Sequence, residues 1–397
     1  MIKKMPMVIL MKKVCFNIIL LLIILSLPAV CFSDYKKPPI PKSFKYIEGA
    51  WNTGFVIEDA FGNQWVWVPV GGIDGGFVRR DWPDQGSSVA ETTENVPEII
   101  KTGINEHGGF YIARFQASNE NGKIASKADK NVWNRIDWST AKDLCQNMGK
   151  DYRYKGADTH MTYDTEWDCV VKWFKQTGLN MNGTNASNSG NVIKTGIFHS
   201  NNIYDVAGNM YEWSMGRKCA DEVILRGGSF NNGSVLYPVT IRNAGIDPSV
   251  EWDGIGFRPA FSLMSITAIY DSAKKYLRKK SDYMKAIRMY ETILDIDPVN
   301  DDAYNNIISL YKKLQNYDMV LQYSQDAIKI NPKNKQAYCT LADAYIAKKD
   351  YDQAIDLGMK AIEIDRRYSP ALLVLSKAYQ RKGNYSKYTS IMRKLRG

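Results

Sequence analysis

Apolar and polar positions fall into three successive patterns along the chain. An unbroken apolar run, FNIILLLIILSLPAV at residues 16–30, comes first, preceded by Lys3, Lys4, Lys12 and Lys13. Short apolar runs separated by Gly, Asn and Ser then extend to residue 263. Among them, Gln64-Trp-Val-Trp-Val-Pro69 and Gly109-Phe-Tyr-Ile-Ala-Arg114 read as strands, being rich in aromatic and β-branched residues. Two helical periods interrupt them. Over 139–148, Ala141, Leu144, Cys145 and Met148 share a face. Over 162–175, Trp167, Val170, Val171 and Phe174 do so, with Thr162 placed as the N-cap. Residues 176–202, dominated by Asn, Gly, Ser and Thr, read as loop.

From residue 267 a period of 34 takes over. Pro298 and Pro332 are one period apart, as are successive members of the ladder Tyr283, Tyr317, Tyr351 and Tyr385. Tyr311, Tyr345 and Tyr379 form a second ladder, Ala286, Val320 and Ala354 a third, and Ile293, Ala327 and Ala361 a fourth. Each unit reads as two helices that end at proline, apolar on one face and needing a neighbour to bury it. This pattern resembles the tetratricopeptide repeat family, with full units at 267–300, 301–334 and 335–368 and a partial one from 369. The resemblance implies an all-α solenoid whose surface takes a peptide or protein partner; a rigid spacer or dimerisation arm is the alternative.

The middle region carries ordered motifs. Ile203-Tyr204-Asp205-Val206-Ala207-Gly208-Asn209-Met210-Tyr211-Glu212-Trp213 is followed by Leu225-Arg226-Gly227-Gly228-Ser229-Phe230, then Arg242, then Gly254-Ile255-Gly256-Phe257-Arg258-Pro259-Ala260. With Thr165-Glu166-Trp167-Asp168 and 109–116, these resemble the formylglycine-generating enzyme (sulfatase-modifying factor) family. The resemblance covers 45–263 and implies a C-type-lectin-like fold with much irregular structure, so the chain as a whole reads as α+β joined to an all-α solenoid. Leader 1–33, linker 34–44, lectin-like domain 45–263 and repeat domain 264–397 are the expected parts. Each of the last two has its own periodicity and charge balance and is expected to fold alone.

Physically, Gly208-Asn209 suits a turn with positive φ, and Gly227 and Gly228 permit close backbone approach. Trp213, Gly256 and Phe257 read as structural. Arg226, Arg242 and Arg258 sit beside glycines and aromatics, where a guanidinium can satisfy several loop carbonyls. In the resembled enzymes two cysteines bind copper, and the matching positions here hold Ser234 and Val239. Neither replaces a thiolate, so no copper is expected. His107, His160 and His199, the three histidines of the chain, show no close spacing for a facial iron site. The resemblance does imply calcium at Asn209 and Glu212, a carboxylate and an amide suited to a hard cation; a Glu212–arginine pair is the alternative. Asn231, Asn232, Asn243 and Trp252 occupy the segment that presents ligand-binding residues in proteins of this fold.

Charge and cysteines refine this picture. The formal +10 divides into four lysines without an acid in residues 1–33, 24 bases against 27 acids in 34–263, and 24 against 15 in 264–397. The excess therefore belongs to the leader and the repeats, including Lys274, Lys275, Arg278, Lys279 and Lys280, and no nucleic-acid partner is expected. The basic start and short apolar core of the leader match a secretory signal, with cleavage after Ser33. An uncleaved anchor or lipidation at Cys31 are alternatives, and Met11 would serve as a start. Beyond the leader, Cys145, Cys169, Cys219 and Cys339 form no CxxC pair, so structural zinc is not expected. An oxidising compartment would permit a Cys145–Cys169 disulfide, two buried thiols being the alternative. The expected protein is an exported, non-catalytic binding scaffold of the bacterial periplasm or cell exterior. Its repeats bind a protein, and its lectin-like loops bind a ligand of unknown chemistry. The alternative is a divergent metal-dependent oxidase or protein-modifying factor.

Overall fold

The alternation Trp65-Val66-Trp67-Val68 sends tryptophans to one face of a strand and valines to the other, and both faces are covered. The computed structural model describes residues 37–70, 76–82, 94–178, 192–196, 199–206, 208–230 and 239–396. The leader, Ser234, Asn231 and Asn232 lie outside them. In the first domain β1 (Phe44–Glu48), β2 (Phe55–Asp59), β3 (Gln64–Pro69), β4 (Gly109–Ala113), β7 (Ala157–Met161) and β14 (Pro259–Leu263) form a six-stranded sheet. Its order is β1-β2-β3-β4-β14-β7, antiparallel throughout. Trp65, Trp67, Tyr111 and Phe261 build a core on one face, with Phe261 4.8 Å from Trp65 and 4.9 Å from Tyr111. Val66, Val68, Phe110 and Ile112 build a second core on the other.

A smaller sheet of order β12-β11-β10-β13 contains β10 (Tyr211–Cys219), β11 (Glu222–Arg226), β12 (Arg242–Ile246) and β13 (Ile255–Phe257). Its β10–β13 pair is parallel and places Glu212 beside Gly256. Two hairpins complete the strands: β5 (Ser118–Glu120) with β6 (Lys123–Ala125), and β8 (His199–Ser200) with β9 (Ile203–Tyr204). Strand β8 of the second falls within 176–202, read from sequence as loop, and β9 lies just beyond it.

Three helices pack on these sheets: α1 (Glu98–His107), α2 (Trp138–Asp151) and α3 (Asp164–Gln176). Helix α2 is capped by Asp137, whose carboxylate accepts from Thr140 N at 3.0 Å. Thr162, the N-cap expected from sequence, does not cap α3; its hydroxyl donates to Arg258 O at 2.8 Å. The N-cap is Tyr163, whose N–H donates to Glu166 Oε2 at 2.9 Å. Helix α1 escaped the sequence reading.

The C-terminal region is a run of helices: α4 (Ile266–Lys275), α5 (Tyr283–Ile296), α6 (Asp301–Lys313), α7 (Tyr317–Ile330), α8 (Lys335–Ala347), α9 (Tyr351–Ile364), α10 (Ser369–Arg381) and α11 (Tyr385–Arg396). The tyrosine ladder marks the starts of α5, α7, α9 and α11. Asn300, Asn316, Asn334 and Asp350 cap α6 to α9, each accepting from a backbone N–H three residues on. Ala286, Val320, Ala354, Ala327 and Ala361 are at most 1% exposed, where adjacent helices approach most closely.

The two regions share a boundary core. Ile296, the last residue of α5, is fully buried among the core residues of the first domain. Gly156 (φ +71°) lies beneath it, where a Cβ would come within 2.3 Å of Ile296 Cγ1. Lys42 N donates to Asp295 O at 2.7 Å, and Met264 N to Gly156 O at 2.9 Å. Residues Lys37–Gly397 accordingly form one compact unit.

Candidate functional site

Two knots of buried charge organise the first domain. In the first, β10 carries Glu212 into the interior, where Arg258 Nε lies 3.1 and 3.0 Å from its two carboxylate oxygens and Nη2 lies 2.6 Å from Oε1. The same guanidinium donates to Ala113 O at 2.9 Å and Tyr204 O at 2.7 Å, tying β10 to β4 of the large sheet and to the β8–β9 hairpin. Gln116 Nε2 donates to Glu212 Oε1 and to Met210 O, each at 3.0 Å. Asn209, in the left-handed region at φ +62° as its turn requires, donates to Gln116 Oε1 at 3.0 Å. Its own oxygen accepts from Ile193 N at 3.1 Å.

This geometry bears on the calcium expectation. Calcium needs six to eight oxygen donors around one point. Here both Glu212 oxygens face a guanidinium, which neutralises the carboxylate and occupies the space a cation would take. The Asn209 oxygen is directed at a backbone amide. Asn209 and Glu212 come together, through Gln116, but as a hydrogen-bonded ion pair that does not fit a calcium ion.

In the second knot, Asp164 and Asp168 lie one helical turn apart on α3 and face Arg226 and Arg242. Arg226 reaches Asp164 at 3.1 Å and Asp168 at 2.9 Å; Arg242 Nε reaches Asp164 at 2.7 Å and its Nη2 binds Asp168. All four side chains are at most 1% exposed. A strap of chain is fastened to them: Arg80 N and Trp82 Nε1 donate to Asp168 at 2.8 and 3.1 Å, and Arg242 Nη2 donates to Arg80 O at 2.7 Å. Arg226, Arg242 and Arg258 are thus all buried in carboxylate networks; the sequence reading offered only the Glu212–arginine pair among these partners. Gly227 (φ +70°) and Gly228 follow Arg226 at the end of β11, and a Cβ on Gly227 would come within 2.8 Å of Val206 O. Gly208 is buried beside Asn209, and Trp213, Gly256 and Phe257 are buried on the β10–β13 pair.

The N-terminus of α3 is closed by Glu94, which accepts from Asp164 N and from Thr165 N at 3.0 Å. Burial, then the nearby charge of Asp164, pushes the Glu94 carboxyl up to about 7. A cavity of about 400 Å³ opens beside it, lined by Phe77, Val78, Arg79, Glu94, Val96, Lys101 and Thr165. Nothing in the sequence pointed to this place, because Glu94 meets α3 across 70 residues.

The candidate redox residues do not assemble. Val239 is 2% exposed in an apolar core, and its carbonyl accepts from Trp167 Nε1 at 2.8 Å. Cys145 and Cys169 are free and buried in different cores, on opposite sides of the large sheet, so no disulfide joins them. Burial pushes both thiols well up, and Cys339 to about 12. Cys219 is free and exposed. The histidines are dispersed: His107 meets Met264 O at 3.0 Å, His160 meets Glu166 at 2.8 Å, and His199 lies against Tyr204. Among the described residues, no group of three or more His, Cys, Asp or Glu could hold a metal ion. No helix among them is long and apolar enough to cross a membrane.

Of the expected ligand surface, Trp252 is 53% exposed, next to a loop pinned by Asn134 Nδ2 on Asp253 O at 2.8 Å; Asn243 is half-buried on β12. In the repeats, the first helices of successive hairpins are cross-linked along their open faces. Lys312 reaches Asp343 at 2.5 Å, and Lys377 reaches the same carboxylate at 3.9 Å. Leu373, at 47% exposure, stands on α10 within that row.

Comparison with known proteins bears on the repeats. Residues 301–334 and 323–356 match models of the tetratricopeptide repeat. No curated protein matches the chain. Similar solved structures include MamA (21% identity, covering 33% of this chain and 71% of that one, TM-score 0.30). YrrB, described as a TPR protein with an unusual peptide-binding site, is 23% identical over 33% of this chain and 67% of its own, with TM-score 0.29. The first TPR of Spaghetti (RPAP3), bound to an HSP90 peptide, is 22% identical over 30% and 93%, with TM-score 0.28. Neither family match reaches the first domain. Residues 301–356 are tetratricopeptide repeats, the units that the ladder of tyrosines and alanines marked out.

Proposed function

We propose that the chain is an exported, non-catalytic scaffold in which a formylglycine-generating-enzyme-like domain of lectin-like fold carries a protein-binding repeat array. The observation that carries the binding reading is the repeat array itself. Its helices are in register over more than three units, and its open row of first helices presents Asp302, Ser309, Leu373 and Lys377 to solvent. Such stacked hairpins use extended surfaces of this kind to hold partners. The non-catalytic reading of the first domain rests on Val239 at a copper position and on buried, high-pKa thiols at Cys145 and Cys169. Export rests on the lysine-rich start and the apolar run at 16–30. Trp252 and the neighbouring loops are the proposed presenting surface.

Peptide-display selection on the full chain tests the binding reading. A selected peptide should lose affinity for Leu373→Asp and Ser309→Arg while circular dichroism stays unchanged. Equal affinity for those variants would move the site away from the first helices, and failure to select any peptide would remove the reading. Copper-loaded protein incubated with a cysteine-containing peptide should show neither oxygen uptake nor peptide mass loss. Turnover in that assay would make the chain an enzyme.

A further inference from the structure

The cavity of about 400 Å³ beside Glu94 is large enough to take a small molecule. Three separate elements wall it: the strap at 77–79, the segment that leads into α1, and the first turn of α3. Each is held from outside the cavity. The strap is fastened to Asp168 through Arg80 N and Trp82 Nε1, and Lys175 Nζ lies 4.1 Å from the centre of the Trp82 ring. Phe77 leans on Phe110 of β4, with ring centroids 6.4 Å apart. Val96 is 5% exposed and shares the second core with Ile100 of α1. The walls are therefore set by the fold, on the side of the large sheet opposite Ile296.

The lining has an apolar part and a charged part. Phe77, Val78 and Val96 supply the first; Arg79 and Lys101 supply two positive charges, against the single acid Glu94. That acid is already engaged. Its Oε1 accepts from Asp164 N, and its Oε2 accepts from Thr165 N at 3.0 Å and from Thr165 Oγ1 at 2.5 Å. Raised to about 7 by burial and by Asp164, the carboxyl carries only about half a negative charge at neutral pH. Among the described residues Lys101 meets no acid closer than Glu98, at 3.9 Å between exposed side chains, a pairing of little strength. The recess thus joins an apolar wall to a net positive charge.

We infer that this cavity binds a small carboxylate with an apolar tail, the tail lying against Phe77 and Val96 and the charged end toward Lys101 and Arg79. The chemistry of the occupant follows from the lining. A bare anion would leave the apolar wall in contact with water and gain nothing from it. A cationic ligand would meet two like charges, and the oxygens of the one acid already accept N–H and O–H bonds. Because the strap, α1 and α3 are each anchored elsewhere, binding requires no rearrangement of them, which favours affinity in a small site. The site shares no residue with the repeats or with the Trp252 loop, so it stands or falls separately from the scaffold reading.

The test is a ligand-observed NMR titration of octanoate with the full chain at neutral pH, which should show saturable binding. Acetate keeps the charge without the tail, and octylammonium keeps the tail with the charge reversed; each should bind about tenfold more weakly or worse. Lys101→Glu should weaken octanoate binding about tenfold or more, with Lys101→Gln between it and the wild type, because close charges dominate the electrostatics of such a contact. Val78→Asp, at a position 43% exposed on the lip of the cavity, should also abolish binding. Both positions reach solvent, so these variants should keep the near-ultraviolet dichroism of the wild type. Absence of saturable octanoate binding would overturn the proposal. So would octylammonium or acetate binding as tightly as octanoate, or octanoate binding that Lys101→Glu and Val78→Asp leave unchanged.

Discussion

The two halves of this molecule are held together in opposite ways. Past the boundary helices, side chains of the repeat array meet neighbours from their own hairpin or the next, so Ala354 repeats what Val320 does and Asn334 repeats what Asn300 does. In the first domain the decisive contacts join residues far apart in sequence: Arg258 to Glu212 across 46 residues, Arg242 to Asp164 across 78. A structure of local contacts is thus joined to one of non-local contacts, and Ile296 is one of the places at which they meet.

Removing one partner of a buried ion pair should have the largest effect. Glu212→Gln leaves the Arg258 guanidinium buried without its counter-charge, and such losses cost about 3–5 kcal/mol. The urea midpoint should fall by the same amount in calcium and in chelator. A loss seen only in calcium would mean that the carboxylate serves a metal after all. Ile296→Ala should come next, at about 2–4 kcal/mol, because it opens a cavity in the core that both halves share. It should also split the unfolding curve, with near-ultraviolet dichroism reporting the first domain separately from helix loss. A single coincident transition in the variant would show that coupling runs through other contacts.

Cap substitutions probe the local half. Asn334→Ala and Asn300→Ala should each cost about 1 kcal/mol. The two sites lie one repeat apart, and the double variant should show the near-additivity expected of weakly coupled sites. Asp168→Asn combined with Arg226→Met should be strongly non-additive, since Asp168 serves both arginines and the strap. Additivity in the second pair, or its absence in the first, would erase the contrast.

The same contrast governs what could be read from sequence. The repeat boundaries were legible because one period fixes the neighbours of every position: Tyr317 and Tyr351 open α7 and α9 where the ladder put them. Docking of Ile296 was not legible, because within the period it looks like any other helix-end apolar residue. In the first domain, β3 and β4 were visible in their aromatic alternation, and the arginines in their glycine-rich surroundings. Their partners were hidden, since Asp164 and Asp168 look like ordinary polar positions on an amphipathic helix until β11 and β12 fold over them. The pairing of Glu212 with Arg258 was hidden for the same reason. Asn209 and Glu212 are suitable donors, and only the fold reveals that Arg258 has taken the carboxylate. Helix α1 was missed because Gly103 interrupts its apolar period; the glycine is needed there, since a Cβ would meet Leu263 O at 2.0 Å.

The smallest effect concerns pH and again separates the halves. His160 is 2% exposed, with Nε2 at 2.8 Å from Glu166 and Nδ1 at 3.0 Å from Asp158 O, and the Tyr163 ring lies 5.1 Å away. Burial pulls its pKa down, but the charge and hydrogen bond of Glu166, with help from Asp158, outweigh this and leave it raised. The folded state therefore holds the proton more tightly than the unfolded chain. That contribution is fully present below the unfolded value of about 6.5 and is lost as pH rises through the folded one. Because the causes oppose each other, the slope should be shallow. It should appear only in the first-domain signal, on top of the loss that Glu94 contributes as its carboxyl, pushed up to about 7, ionises, and His160→Gln should reduce the slope without abolishing it. A slope of the same size in the helical signal of an Ile296→Ala variant, in which the halves unfold separately, would place the titrating group in the repeats instead.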